Sequence, residues 1–368
     1  MIKSHLLYQL SYVGAVLAPP EASGERCEAK TIAGSRGSCK SSSAVALRAA
    51  PGPCFEPVGP VSSRAAVATL PPGRVWTLPD GPRTAGRRGL EAGASPAIIR
   101  VMNPQHFRYH EEDGVAVVRL DRPERLNALT FASYRELTDA FQRLRTRDEA
   151  RAVLLTGTGR AFCSGGDQKD IIANLLESDP AQVAAFTRMT CELIANMLRL
   201  EKPIVCGLNG LACGAGAVMA SAADVRIAAH SAKIAFLFTK VGLSGADMGA
   251  AWLLPRIVGL GHAKELLLEG EFVDAAHAQR IGLYNRVVPD AELPQAALAW
   301  AKKLAAGPAL GMAATKRMVH AETVLDFERA LAAEGWVQAE CMADPDYAEA
   351  HHAFLEKRAP RFRGAGPR

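Results

Sequence analysis

Two short apolar runs in this chain each lead into a loop rich in glycine, and that pairing restricts the fold severely. AVLLT (152–156) precedes AFCSGGD (161–167), and KPIVCGL (202–208) precedes NGLACGAGAVMASAAD (209–224). Neither run alternates between apolar and polar residues. Each therefore predicts a strand buried on both faces, as in a sheet covered by helices. Glycine lets backbone approach a partner without a Cβ in the way. Where a strand passes into a helix, the first N–H groups have no intrahelical acceptor and make a site of positive potential. One such place says little. Two, each followed by small residues and an acid, fit a pair of amides aimed at an oxygen that gains charge during a reaction. The plain alternative is tight packing of helix on strand.

The order of elements supports a mixed α/β chain. GVAVVRL (114–120) reads as a strand, and residues 131–145 place Tyr134, Leu137, Phe141 and Leu144 at helical spacing. A helix is expected around Cys191–Leu200, and DVRIAA (224–229) reads as a further strand. Beyond Pro294 nearly everything reads as helix. The expected division is a strand-and-helix core over 102–295 and a helical region over 296–368.

Residues 1–101 are of another character. They hold 11 of the 22 prolines, with 12 Lys+Arg against 6 Asp+Glu, while the remaining residues hold 31 against 32. The net charge of +5 thus belongs wholly to this stretch, which argues against a nucleic-acid partner. Poor apolar periodicity predicts a disordered extension. It is either a transit segment or upstream sequence read in frame ahead of Met102. The interrupted apolar stretch near the start favours the second, and with it a cytoplasmic location; a transit segment would imply an organelle. No run of about 18 apolar residues suggests a membrane span. The eight cysteines form no C-x-x-C pair, so a metal site has no support and a reducing compartment is the simpler reading.

Seven blocks carry a more specific signal. RPERLNALT (122–130), AFCSGGDQKD (161–170), KPIVCGLNGLACGAG (202–216), ADVRIAAHSAKIAF (223–236), LLPRIVGLGHAKELLLEG (253–270), IGLYNRVV (281–288) and AFLEKRAPRFRG (353–364) together resemble the enoyl-CoA hydratase/isomerase family, the crotonase superfamily. The resemblance runs from about residue 106 to 364. It implies a spiral of ββα units with C-terminal helices that make trimer contacts, in a homotrimer or a hexamer. It implies an acyl-CoA thioester substrate and no separate cofactor, coenzyme A being part of the substrate. It also implies that the N–H groups of Gly166 and Ala215 hold the thioester oxygen as it gains enolate charge. Arg122, Arg125, Ser164, Lys169 and Lys357 match substrate or coenzyme A positions, with ordinary solvated charges as the alternative for the cations.

The chain departs from the family where hydratases carry two glutamates. Val218 occupies one position, and Thr239 and Lys240 are the nearest equivalents of the other. Asp247, in GLSGADMGAAWLLPR, is the remaining acid. It matches a catalytic aspartate of some relatives, though one extra residue precedes it. It reads either as a general acid/base or as the N-cap of the following helix. Phe236, Phe238, Met248 and Trp252 would surround it with apolar surface, raise its pKa and accept a bulky or ring-bearing acyl group; core packing is the alternative for them. Asp167 and Asp224 read as caps or structural acids, and Cys163 and Cys213 as packing residues. The expected activity is an enoyl-CoA hydratase working with one carboxylate. The alternatives are an enoyl- or dienoyl-CoA isomerase and a non-catalytic coenzyme A-binding homologue.

Overall fold

The computed structural model describes residues 102–363. The N-terminal stretch expected to be a disordered extension lies outside the described residues, as do residues 364–368. Strands β1 (Phe107–Glu112) and β2 (Val115–Leu120) form an antiparallel hairpin. Its turn is Asp113-Gly114, with φ of 47° and 75°, the left-handed pair that a two-residue hairpin requires. Helix α1 (Phe131–Leu144) starts at Thr130, whose side chain accepts from the Ser133 N–H while the Ser133 hydroxyl accepts from the Thr130 N–H. The helix buries Tyr134, Leu137, Phe141 and Leu144, the face its periodicity predicts. Each of these large side chains contributes roughly 1.5–3 kcal/mol by leaving water.

Three pairs of strands then repeat one plan. β3 (Ala152–Gly157) and β4 (Ala161–Cys163) are followed by α2 (Ala173–Glu177) and α3 (Pro180–Arg199). β5 (Ile204–Leu208) and β6 (Leu211–Cys213) are followed by α4 (Ala215–Ala222). β7 (Val225–Ala229) and β8 (Lys233–Ala235) are followed by α5 (Ala250–Glu269), which is broken at Gly259 (φ 78°, ψ 161°). After β9 (Val273–Asp274), α6 (Ala275–Arg280) and β10 (Arg286–Val288) come four helices: α7 (Leu293–Ala305), α8 (Ala309–Glu322), α9 (Phe327–Ala343) and α10 (Pro345–Leu355). The first strand of each pair joins a six-stranded sheet of order β1-β2-β3-β5-β7-β10, and the second joins a four-stranded sheet of order β4-β6-β8-β9. This is the spiral of ββα units that the resemblance implies. Within the six-stranded sheet, pairing from β2 through β10 is parallel, while β8 and β9 of the other sheet pair antiparallel. All of β5 and nearly all of β3 are buried, as their unbroken apolar runs predict.

Two boundaries differ from the sequence reading. α3 begins at Pro180, eleven residues earlier than Cys191, because Asp179 and Gln182 make a capping box around a proline at the first helical position. α7 begins at Leu293 and lies on β3, β5 and β7, so it belongs to the core and not to the helical tail. A Cβ on Gly207 would stand 3.2 Å from that of Ala297, which shows how closely α7 meets the sheet. Helix α8 is tied down by Lys316, whose Nζ donates to Asp224 at 2.7 Å while Asp224 also accepts from the Ile204 N–H. By contrast α9 buries no residue, and Phe327 and Trp336 are 73% and 80% exposed. Among the described residues no helix is long and apolar enough to cross a membrane, and no group of acids, histidines and cysteines could hold a metal ion.

Candidate active site

The first glycine loop leaves β4 at Cys163. Gly165 has a φ of 95°, a conformation that a side chain would strain. Its carbonyl accepts from the Leu129 N–H at 2.8 Å, and the Asp167 N–H donates to the Leu129 carbonyl at 2.8 Å. Leu129 thus bridges the loop in parallel fashion about Gly166. In such a bridge the central residue directs its own N–H and C=O away from the partner strand. The Gly166 N–H is therefore turned to the other side of the loop. Asp167 caps the turn 168–172 by accepting from Lys169 and Asp170, the structural role its position predicts.

The second loop leaves β6 at Cys213. Gly214 has φ 50° and ψ −119°, and α4 begins with Ala215. At the first helical position the Ala215 N–H has no intrahelical acceptor and adds to the positive end of the helix. The two loops interlock. A Cβ on Gly216 would lie 2.3 Å from the Cys163 carbonyl oxygen, and one on Gly165 would lie 3.2 Å from the Cys213 oxygen and 3.8 Å from the Ala215 nitrogen. Glycine at 165 and 216 lets the start of α4 press against the first loop. Cys163 and Cys213 lie in this contact, and burial pushes each thiol up to about 12, so they remain protonated packing groups.

Asp247 occupies neither a helix nor its cap. The N-cap of α5 is Gly249, at φ 90°, and Met248 holds an unusual φ of 48°. Among the described residues the Asp247 carboxylate accepts only from the adjacent Met248 N–H at 2.9 Å, while its backbone carbonyl takes the Ala250 N–H. The capping alternative therefore gives way: the left-handed turn at 248–249 delays the helix until Ala250. Burial pushes the Asp247 carboxyl up from its ordinary value, against the Met248 N–H, which lowers it. Val218 is fully buried on α4, Thr239 donates to the Leu268 carbonyl, and Lys240 pairs with Glu271. None of these three supplies a second acid.

The other site candidates separate into groups. Phe238 is 8% exposed, and its ring lies 3.9 Å from where a Gly214 Cβ would be, beside the second loop. Phe236 and Met248 are buried. Trp252 goes elsewhere. It is 38% exposed, lies under Arg256 at 4.0 Å, stands edge-on to His320 at 6.4 Å, and lines a groove with Arg145 and Lys316. Its place one turn into α5 carries it to the side of α8. Arg122 directs its guanidinium to the Ala128 carbonyl and to Asp167, bracing the first loop. The Ser164 N–H donates to Leu126 in the same bracing. Arg125 and Lys169 are exposed beside this loop, and Lys357 is exposed in the turn after α10. A cavity of 750 Å³ lies between the ends of α1 and α3 and the α7–α8 connection, away from both glycine loops.

Sequence reasoning missed several residues. Asn127 is buried at φ 55° and donates to Thr158 and Ala161, and Asn209 donates to Gly159 and Ala161. Together they clamp the turn from β3 into β4. The NG after β5 was a visible signal for the second. Tyr134 is 2% exposed within electrostatic range of both Asp247 and Cys163. Its helical spacing marks burial and nothing more.

Two amides held by interlocked loops, one from each of two successive ββα repeats, define a chain built on the crotonase plan. The chain belongs to the enoyl-CoA hydratase/isomerase family, whose profile matches residues 110–365. It is 41% identical over 263 residues to a probable enoyl-CoA hydratase of Rhodobacter capsulatus, covering 72% of this chain and 100% of the relative. It is 36% identical over 255 residues to the 1,2-epoxyphenylacetyl-CoA isomerase of Escherichia coli, covering 69% and 97%. The crystal structure of a putative enoyl-CoA hydratase from Streptomyces coelicolor superposes with a TM-score of 0.71 at 45% identity, covering 74% of this chain and 100% of that one. The chain is accordingly an acyl-CoA-processing enzyme of the hydratase/isomerase type.

Proposed function

We propose that the chain moves a double bond within an enoyl-CoA thioester, with Asp247 as the proton carrier. The ionised carboxylate takes a proton from the α-carbon of a 3-enoyl thioester. The C–H electron pair forms a double bond to the thioester carbon as the carbonyl π pair moves onto its oxygen, giving a dienolate that the Gly166 and Ala215 amides stabilise. The Asp247 acid then returns the proton to the γ-carbon, leaving the double bond between α and β. The step consumes no water and balances without a cofactor. The observation that carries this reading is the pairing of one half-buried carboxylate with a fully buried valine at 218. One carboxylate suffices to remove and return a proton, and its raised pKa suits both directions. Hydration is the second reading, favoured by the names of relatives such as that of R. capsulatus. Asp247 would then have to activate water and protonate the α-carbon alone. A homotrimer or hexamer is supported by α9, whose apolar residues Phe327, Leu331 and Trp336 stand exposed among the described residues.

The test offers the full-length chain a panel of 2-enoyl- and 3-enoyl-CoA thioesters and identifies products by mass. A product of unchanged mass with a moved double bond, reduced about 10²–10⁴-fold in Asp247→Asn, is expected. A product heavier by one water makes the chain a hydratase. Binding without product removes both readings.

A further inference from the structure

Three aromatic rings meet at the seam of α1 and α3. Phe186 stands edge-on to Phe131 with ring centroids 5.2 Å apart, and edge-on to Tyr134 at 5.7 Å. Tyr134 is buried, while Phe131 and Phe186 are half-buried. The seam adjoins both halves of the site. The Phe131 N–H donates to Asp170 at 2.9 Å, in the turn that follows the first glycine loop. The Tyr134 hydroxyl lies within electrostatic range of Asp247, and so does the Cys191 thiol, five residues beyond Phe186 on α3. A Cβ on Gly249, two residues after Asp247, would touch Ile194 of the same helix at 3.8 Å. From the other direction the Phe238 ring reaches Gly214 at the second loop.

Aromatic rings therefore sit on the two helices that border the turn after the first loop and the segment 247–249, and the Phe238 ring sits at the second loop. A saturated chain gains from such surface only by leaving water. A planar ring gains as well from edge-to-face contact, the geometry Phe131, Tyr134 and Phe186 already adopt among themselves. We propose that the acyl site takes thioesters whose acyl group carries an aromatic or cyclic ring close to the carbonyl, with Phe186 and Phe131 as the wall that selects it. The inference rests on the acyl-CoA reading of the site, but not on which reaction follows.

The test is calorimetric binding of the full-length chain to phenylacetyl-CoA, octanoyl-CoA and coenzyme A. The two acyl groups have equal carbon counts, and neither contains a chain double bond to move, so turnover does not enter. Phenylacetyl-CoA is expected to bind about tenfold tighter than octanoyl-CoA. In Phe186→Leu that contrast is expected to fall below about threefold, since the leucine retains apolar area and loses the ring. Equal affinities, or tighter octanoyl-CoA binding, overturn the inference while leaving the acyl-CoA reading intact. A contrast unchanged in a folded Phe186→Leu overturns the assignment of the wall. If neither thioester binds better than coenzyme A, the acyl-CoA reading falls with it. The wild-type comparison stands even if the variant does not fold.

Discussion

Gly216→Ala is the substitution that tests whether the interlock of the two loops sets the rate. The new Cβ would lie 2.3 Å from the Cys163 carbonyl oxygen, 2.7 Å from its Cβ and 3.0 Å from its carbonyl carbon. Two of these three atoms are backbone, so no rotamer change relieves the clash. To reach an ordinary contact of 3.4 Å, the start of α4 or the end of β4 must yield by about 1.1 Å. That movement carries the adjacent Ala215 amide with it. A misplacement of about 1 Å costs roughly 100-fold in rate, and loss of a whole oxyanion donor costs roughly 10²–10³-fold. We expect kcat to fall about 100-fold with KM changed far less, because the enolate oxygen needs the donor more than the ground-state carbonyl does. Overpacking should also lower stability by about 1–3 kcal/mol, so the assay belongs well below the melting temperature, with circular dichroism as a check. Steady-state kinetics on the substrate found in the panel gives the readout. A folded Gly216→Ala enzyme with wild-type kcat would refute the argument that the loop contact positions the donor. So would a loss of activity that only tracks the unfolded fraction.

Other expectations concern stability and pH. Because burial raises the Asp247 pKa, the folded chain binds this proton more readily than the unfolded chain does. Stability therefore falls as pH rises through the window from the ordinary aspartate value to the raised one, and Asp247→Asn should melt at a higher temperature than wild type at neutral pH; a lower melting temperature contradicts this. The same shift places the acid limb of kcat/KM above about pH 4, with activity rising as the carboxylate ionises. Lys316→Met strands the Asp224 carboxylate beside β5, and since Lys316 is only 7% exposed against 23% for Asp224, we expect a loss near the lower end of the buried-pair range, about 3 kcal/mol, in chemical denaturation.

Backbone features were the most readable part of the sequence. Unbroken apolar runs announced β3 and β5 because burial on both faces needs no alternation. The glycines announced the loops because no other residue allows the contacts at 165 and 216. Side-chain directions were harder to read. Trp252 and Met248 are four residues apart, yet a left-handed turn and the start of α5 put Met248 in the interior and leave Trp252 partly exposed, and periodicity cannot foresee a turn of that hand. Asp247 reads as an acid/base or as a cap because it precedes a helical pattern by the usual distance, and the φ values at 248 and 249 displace the cap to Gly249. The helical spacing of Tyr134 marks it for burial, which it has; its interaction with Asp247 depends on how distant segments pack, a long-range fact no short window contains.

The two donors proposed here are main-chain amides, so no exchange of one side chain for another can delete them. The proposed proton carrier is a side chain, and a single substitution can remove it or place it elsewhere. On that proposal, a chain built this way keeps its means of stabilising an enolate when its acids change, and the valine at 218, where the resemblance implies a glutamate, fits that freedom. Only a change that shifts the backbone, such as a methyl group at position 216, reaches the half of the site that all these reactions share.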